Sequence, residues 1–207
     1  MTRFRKIPVK WANQPQRAEN SNRYCFIKRS PKLNYCCIIA HQILTMGNTF
    51  TAIDFETAHG KRWSICQIGL VRVENGVVTA KVNQLVCPPD NYYFYRNTQV
   101  HGIRPEHTFK SPSFPALWSE LRPFIHNQTV VAHNGAFDFS CLSQTLDYYR
   151  LQQPEYSKMC TYKIFKKKLD TLCMEHRIEL KHHDALSDAM ACAQLYRIHL
   201  SNNIAAQ

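Results

Sequence analysis

The chain has no hydrophobic run long enough to cross a bilayer. Residues 36–40 are typical of its longest apolar stretches, which are far shorter than the roughly 18 residues that a membrane-spanning helix needs. It also has no internal repeat. Apolar residues make up 44% and charged residues 20% of the 207 positions, which is ordinary globular composition. Membrane-spanning, collagen-like and coiled-coil proteins are excluded, we expect no membrane partner, and the length predicts one or two domains.

Paired cysteine spacings are missing as well. The chain has nine cysteines, but Cys36 and Cys37 are adjacent and the others are scattered without a CxxC pair. This pattern argues against a secreted disulfide scaffold and against a structural zinc site, which uses closely spaced ligand pairs. We therefore expect reduced thiols and a cytoplasmic location.

Acidic residues are scarce at the N-terminus. Residues 1–45 carry nine Lys and Arg side chains against the single acid Glu19, a net charge of +8, so the remaining chain supplies only +3 of the total +11. Pro8, Pro15 and Pro31 interrupt any helix there, and a secretory signal is not recognisable. We predict a flexible basic extension at 1–45 and a catalytic domain at 46–203, with Met46 as an alternative natural start.

Hydrophobic periodicity predicts an α/β domain. The pattern favours strands at residues 49–55, 64–73, 77–86 and 129–132, a less certain strand at 158–165, and a loop at 88–112 that contains the aromatic run 92–95. Helices are predicted from an N-cap at Ser113 to residue 125, and at 136–151, 168–177 and 184–200. The order βββαβαβαα indicates a mixed sheet of about five strands flanked by helices, with a site at the strand ends.

Four carboxylates lie where these elements begin or end. Asp54 and Glu56 are two positions apart at the end of the first strand, so both side chains project from one face. Asp138 and Asp188 each open a helix. Each acid alone is more often a solvated side chain or a first-turn acid favoured by the helix dipole. Together, in this order, they favour a site for Mg²⁺ or Mn²⁺, with His183 as a nearby proton acceptor.

These residues resemble the motifs of the DEDDh branch of the DnaQ-like 3′–5′ exonucleases, an RNase H-like family. That family includes the proofreading subunits of bacterial replicative polymerases, RNase T and oligoribonuclease. The resemblance covers residues 49–200. The matching segments are Asp54-x-Glu56, the HNxxFD motif with His133, Asn134, Phe137 and Asp138, the HxAxxD motif with His183, Ala185 and Asp188, and a His-Gly-Ile triplet at 101–103.

The resemblance implies hydrolysis of the 3′-terminal phosphodiester with two divalent cations, Mg²⁺ or Mn²⁺. It implies that Asp54 bridges both ions, that Glu56 and Asp188 complete the first site, that Asp138 supports the second, and that His183 is the general base. The expected contacts to single-stranded 3′ ends are Phe55, Thr57, His101, Gly102, Ile103, Asn134 and Phe137. Lys166, Lys167 and Lys168 are candidates for phosphate contacts.

Several alternatives stay open at this point. DNA is the preferred substrate, but an exoribonuclease of the RNase T or oligoribonuclease type fits the same motifs. A nucleic-acid-binding module without turnover is disfavoured because all five catalytic positions are intact. A DNA polymerase is a candidate partner, a free-standing exonuclease is the alternative, and the oligomeric state is undetermined.

The basic extension predicts a salt-dependent contribution to binding. A chain shortened to begin at Met46 should keep its turnover but bind single-stranded oligonucleotides more weakly at low salt, because fewer counterions are released. Fluorescence anisotropy across a salt series would measure this effect. Equal affinity and equal salt slope in the two chains would contradict the prediction.

Overall fold

A five-stranded mixed sheet forms the centre of the domain. The computed structural model describes residues 48–205, so the predicted extension at 1–45 lies outside the described residues. The strand order is β3-β2-β1-β4-β5; β1 pairs antiparallel with β2 and parallel with β4. The strands are β1 (Phe50–Thr57), β2 (Ile65–Glu74), β3 (Val77–Leu85), β4 (Thr129–Ala132) and β5 (Ser157–Cys160).

The hairpin between β2 and β3 follows the predicted turn. Asn75 and Gly76 are the only two residues between the strands, with φ of 51° and 77°. Both central residues of a type I′ turn need positive φ, which Asn and Gly tolerate best. The Asn-Gly signal therefore sets the register of this hairpin.

Helices cover both faces of the sheet. They are α1 (Tyr95–His101), α2 (Pro105–Thr108), α3 (Phe114–Leu121), α4 (Ala136–Tyr148), α5 (Thr161–Phe165), α6 (Leu169–His176) and α7 (Ala185–Ala205). Ile53 and Phe55 of β1 belong to a core shared with α3 and α4. Phe50 and Ala52 belong to a second core shared with α7. This two-residue alternation assigns Asp54 and Glu56 to the face that α7 covers.

Three sequence predictions need correction. The segment predicted as a loop at 88–112 contains α1, α2 and the short 3-10 helix Pro89–Asn91. Of the predicted strand at 158–165, only the first part is extended, because α5 begins at Thr161. The helix predicted to reach residue 125 ends at Leu121 and continues as a 3-10 turn, Arg122–Phe124, because Pro123 cannot donate the next helical hydrogen bond.

Gly69 lets the N-terminus of α7 approach the sheet. It lies opposite Asp54 in the β1–β2 register, and a Cβ atom there would overlap the backbone carbonyl group of Ala185. Beside it, the Gln67 side chain accepts a hydrogen bond from the Ala185 N–H at 3.3 Å and donates to Asn83 Oδ1 at 2.9 Å. The first turn of α7 is therefore held directly against β2. Within residues 48–205, no helix is long and apolar enough to cross a membrane.

Gly69→Ala should displace the start of α7. We expect the free energy of unfolding to fall by about 1–3 kcal/mol, as for other insertions of bulk into a packed interior. Thermal and urea unfolding would measure the loss. The matched control is Gly60→Ala, since a Cβ there has no neighbour within 4 Å; equal stability of the two variants would contradict the proposed contact.

Candidate active site

The ends of β1, α4 and α7 meet around one cleft of about 850 Å³. All five residues predicted as catalytic line it: Asp54, Glu56, Asp138, His183 and Asp188. Asp54 and Glu56 come from the last half of β1, Asp138 from the first turn of α4, and Asp188 from the first turn of α7. Three segments that are far apart in sequence thus bring four carboxylates and an imidazole together.

Asp138 joins α4 to the catalytic end of β1. Its Oδ1 accepts a hydrogen bond from the backbone N–H of Phe55 at 3.1 Å, and its side chain is buried. The pKa of Asp138 is raised to about 7, mainly by burial, while the Phe55 N–H opposes that shift by stabilising the charged form. A single buried bond therefore fixes Asp138 beside the segment of β1 that carries Asp54 and Glu56.

Asp188 is held from the loop that precedes α7. Its Oδ2 lies 2.8 Å from His182 Nδ1 and 3.3 Å from the backbone N of His183. Its Oδ1 is buried and, within the described part of the chain, has no hydrogen-bond partner. One oxygen is thus fixed by the loop, and the other is left available.

His183 lies at the mouth of the cleft. Its backbone is in the left-handed region with φ of 65°, its ring stacks on His182 with centroids 4.0 Å apart, and Nδ1 lies 4.0 Å from Glu56 Oε1. The side chain is 45% exposed, so it can reach a ligand in the cleft. Burial and the neighbouring His182 lower its pKa, which keeps the ring neutral near pH 7.

The carboxylates raise one another's pKa. Burial raises the pKa of Glu56 to about 8, with further contributions from Asp188 and Asp138. The pKa of Asp54 is raised well above its ordinary value by burial and then by the charges of Asp138, Asp188 and Glu56. Like charges this close oppose full ionisation unless a cation joins them. The four carboxylates are therefore not all ionised together unless a cation compensates their negative charge.

The predicted substrate contacts divide into two groups. Phe55, Thr57, His101, Asn134 and Phe137 line the cleft, whereas Gly102 and Ile103 do not. Ile103 is instead buried in a small apolar cluster with Ala58 and Cys66. Gly102, at φ of 73°, ends α1 by donating its N–H to the Thr98 carbonyl at 2.8 Å.

His101 fastens α1 to the end of β1. Its Nε2 lies 3.1 Å from the Thr57 carbonyl oxygen, and its Nδ1 accepts the Ile103 N–H at 3.0 Å. Asn97 donates to the same Thr57 carbonyl at 3.0 Å. Burial lowers the pKa of His101, consistent with a neutral ring that donates from Nε2. These contacts hold the start of the 101–103 triplet against the end of β1.

Other residues that line the cleft were not singled out by the sequence analysis. Arg96 and Val100 come from α1, Tyr162 from α5 and Asp170 from α6. The helical spacing of Arg96, Asn97 and Val100 was the signal available for α1, but the segment was interpreted as a loop. Of the three predicted lysines only Lys168 lines the cleft; Lys167 pairs with Glu175 at 2.6 Å.

Comparison with curated proteins finds related subunits of bacterial DNA polymerase III. DNA polymerase III subunit epsilon of Escherichia coli K12 is 28% identical over 172 residues, covering 76% of this chain and 70% of that protein. The subunit of the same name from Buchnera aphidicola subsp. Schizaphis graminum is 27% identical, covering 64% of this chain and 63% of that protein. The chain thus spans about two thirds of the length of these relatives.

Solved structures share the fold at lower identity. E. coli Exonuclease I in complex with a dA16 oligonucleotide has a TM-score of 0.66 at 15% identity, covering 74% of this chain and 41% of that one. A 3′-exonuclease described in 3′-end-specific recognition of a histone mRNA stem-loop has a TM-score of 0.59 at 16% identity, covering 75% and 82%. These neighbours confirm the predicted RNase H-like mixed sheet flanked by helices.

A protein-family model also matches most of the chain. The model of the RNase T family, described as exonuclease, matches residues 51–196, which is more than half of the chain and includes every element from β1 to most of α7. This match confirms the predicted relationship to the DnaQ-like exonucleases. The chain belongs to the RNase T exonuclease family.

Proposed function

We propose that the protein is a divalent-metal-dependent 3′–5′ exonuclease that hydrolyses the terminal phosphodiester of single-stranded DNA and releases nucleoside monophosphates. The observation that carries the proposal is the convergence of Asp54, Glu56, Asp138 and Asp188 with His183 in one open cleft. Membership of the exonuclease family supports the same reaction class.

The donor set fits hard divalent cations. Carboxylate oxygens are the ligands that Mg²⁺ and Mn²⁺ prefer, and the free Oδ1 of Asp188 is a buried acceptor in need of a partner. Asp54, Glu56 and Asp188 would hold one cation, and Asp54 with Asp138 a second. When bound, the two cations stabilise charge on the incoming and leaving oxygens of the displacement.

His183 is the group that would take the proton from the attacking water. A neutral imidazole is an effective base near neutral pH, and the lowered pKa of His183 favours that form. Its exposed ring and its position beside Glu56 let it reach a reacting atom in the cleft. His182 lies beside it and orients Asp188 at 2.8 Å.

The walls of the cleft suit a single strand. Phe137 and Tyr162 offer aromatic surfaces, on which bases of any identity can stack. Arg96 and Lys168 supply positive charge for phosphates. Asn134 and the Thr57 region lie next to the catalytic carboxylates, where the 3′-terminal nucleotide would sit.

DNA is the preferred substrate because the curated relatives are DNA polymerase III epsilon subunits. RNA is the second candidate, favoured by the likeness to the exonuclease described with a histone mRNA stem-loop. The two differ at the 2′-hydroxyl, which a protein reads through specific contacts. The names of the relatives also suggest a DNA polymerase as partner, and this association is part of the proposal.

Loss of the base or of the bridging carboxylate should remove activity. We expect His183→Ala to reduce the rate by about 10²–10⁴, the usual contribution of a general base, and Asp54→Asn to abolish turnover while the protein stays folded. The assay is degradation of 5′-labelled single-stranded DNA and matching RNA with Mg²⁺, Mn²⁺ or EDTA. A metal-dependent ladder that shortens from the 3′ end is the expected product, and the faster strand identifies the substrate.

His176→Ala is the matched control because His176 is an exposed histidine at the end of α6, outside the residues that line the cleft. It should degrade both strands at the wild-type rate. Metal-dependent cleavage that survives Asp54→Asn would rule out the assigned site.

The raised pKa of Glu56 predicts how metal-free stability depends on pH. Between the ordinary value of 4.5 and about 8, the folded protein keeps a proton that the unfolded chain releases. Stability in EDTA should therefore fall as pH rises through this range. Glu56→Gln should raise the melting temperature at pH 8 in EDTA, on the order of 2–4 °C for about 1 kcal/mol, and should weaken the stabilisation by Mg²⁺.

Differential scanning fluorimetry at pH 5 and pH 8, with and without Mg²⁺, measures both effects. Glu106→Gln is the control, since Glu106 is 60% exposed and lies beside Arg104 at 3.8 Å. A wild-type protein that gains stability with rising pH in EDTA, or a Glu56→Gln variant that keeps the full Mg²⁺ effect, would contradict the assignment.

A further inference from the structure

A chain of four touching rings lies outside the catalytic cleft. The ring of Tyr92 is 5.6 Å from that of His59, His59 is 4.9 Å from Trp63, and Trp63 stacks on Tyr148 at 4.4 Å with 13° between the planes. We call Tyr92, His59, Trp63 and Tyr148 the aromatic row. It connects the loop after β1 with the end of α4 and with the segment before α1.

The aromatic row is at the surface. Tyr148 is 47% and Tyr92 58% exposed, and His59 and Trp63 are partly exposed. A contiguous exposed patch of this kind marks an interaction site more often than scattered apolar side chains do. Flat aromatic faces are also the elements that hold single-stranded nucleic acids without sequence preference.

The aromatic row continues from the wall of the cleft. Its central loop, residues 58–64, leaves β1 directly after Thr57, which lines the cleft. Within that loop, the Arg62 guanidinium lies 4.7 Å from the ring centroid of Phe137, another lining residue. The Phe94 N–H donates to the Ala58 carbonyl at 2.9 Å and ties the Tyr92 end to the same loop.

The charge beside the aromatic row suits a polyanion. Residues 57–65 contain the cations Lys61 and Arg62 and no carboxylate, and Lys61 is exposed. Gln153 Nε2 donates a hydrogen bond at 2.8 Å to the carboxylate of Asp147, the acid next to Tyr148. Phosphates of a strand that crosses the central loop would therefore meet Lys61.

We propose that the aromatic row is a second nucleic-acid-binding surface, on which bases of the strand outside the catalytic cleft stack. The inference rests on the proposed function, because the strand reaches the row from the cleft. The surface adds affinity for long strands and takes no part in hydrolysis. It predicts that the protein discriminates between substrates by length.

The test compares two substrates in the full-length protein with Mn²⁺. The p-nitrophenyl ester of thymidine 5′-monophosphate is confined to the cleft, whereas a 20-nucleotide single strand extends beyond it. For Trp63→Ala and Tyr148→Ala we expect the ratio of kcat/KM for the oligonucleotide to that for the ester to fall at least about fivefold, the effect of losing one base stack, through a higher KM.

Phe109→Ala is the matched control, since Phe109 is 60% exposed and is not part of the aromatic row. Its ratio should equal that of the wild type. An unchanged ratio in both row variants would overturn the proposal and would favour a protein as the partner that binds the aromatic row. Hydrolysis of neither substrate by the wild type would instead count against the proposed enzymatic function.

A binding measurement tests the aromatic row independently of turnover. In EDTA, addition of the 20-nucleotide strand should quench the tryptophan fluorescence of the wild type. The part of this quenching that comes from bases stacked on Trp63 should be absent in Trp63→Phe. Trp11 and Trp118 are common to both proteins, so the difference reports on Trp63 alone. Equal quenching in the two proteins would overturn the proposal.

Discussion

Mutual repulsion among the carboxylates at the end of β1 is the constraint on which the rest of the site depends. Asp54, Glu56, Asp138 and Asp188 are brought together from three segments, and burial and proximity push up the pKa of each. None of the five residues proposed as catalytic carries a permanent positive charge. A protein can keep such an arrangement only if the remaining fold compensates for its cost, and a bound cation is the group that turns repulsion into attraction. The stability of the fold and the affinity for metal are therefore two measures of the same electrostatic energy.

The contacts that impose this crowding are small and specific. Gly69 allows the backbone of α7 to rest on β2 opposite Asp54, and Gln67 holds the first N–H of α7 from the neighbouring position on the same face. On the other side of β1, the Phe55 N–H holds Asp138 at 3.1 Å. Each contact has a backbone group as at least one partner, so the main chain of β1, β2 and α7 largely determines where the carboxylates lie. This is the kind of support that keeps catalytic groups in place before a ligand arrives.

The sequence predicted what depends on local pattern and missed what depends on packing. The first four predicted strands and the Asn75-Gly76 turn were correct because short apolar or alternating runs and the need for positive φ can be recognised from adjacent residues. The convergence of the five residues proposed as catalytic followed from motif order and strand ends. In contrast, α1 was missed because several of its residues, including Tyr95, Arg96 and Val100, are exposed and give no buried apolar stripe. The burial of Ile103 and the role of Gly69 depend on partners far away in sequence, so no local pattern could reveal them.

The loop at 58–64 connects the carboxylate end of β1 to both ends of α4. The loop follows Glu56 and Thr57 at the end of β1. Arg62 of this loop lies over the ring of Phe137, and its positive charge lowers the pKa of Asp138, against the effect of burial. The next residue, Trp63, stacks on Tyr148 at the far end of α4. Arg62 and Trp63 thus attach one short loop to both ends of the helix that carries Asp138. A strand lying on Trp63 and Tyr148 would add contacts between this loop and α4, so binding of distant bases and the rigidity of the Asp138 side of the cleft should increase together.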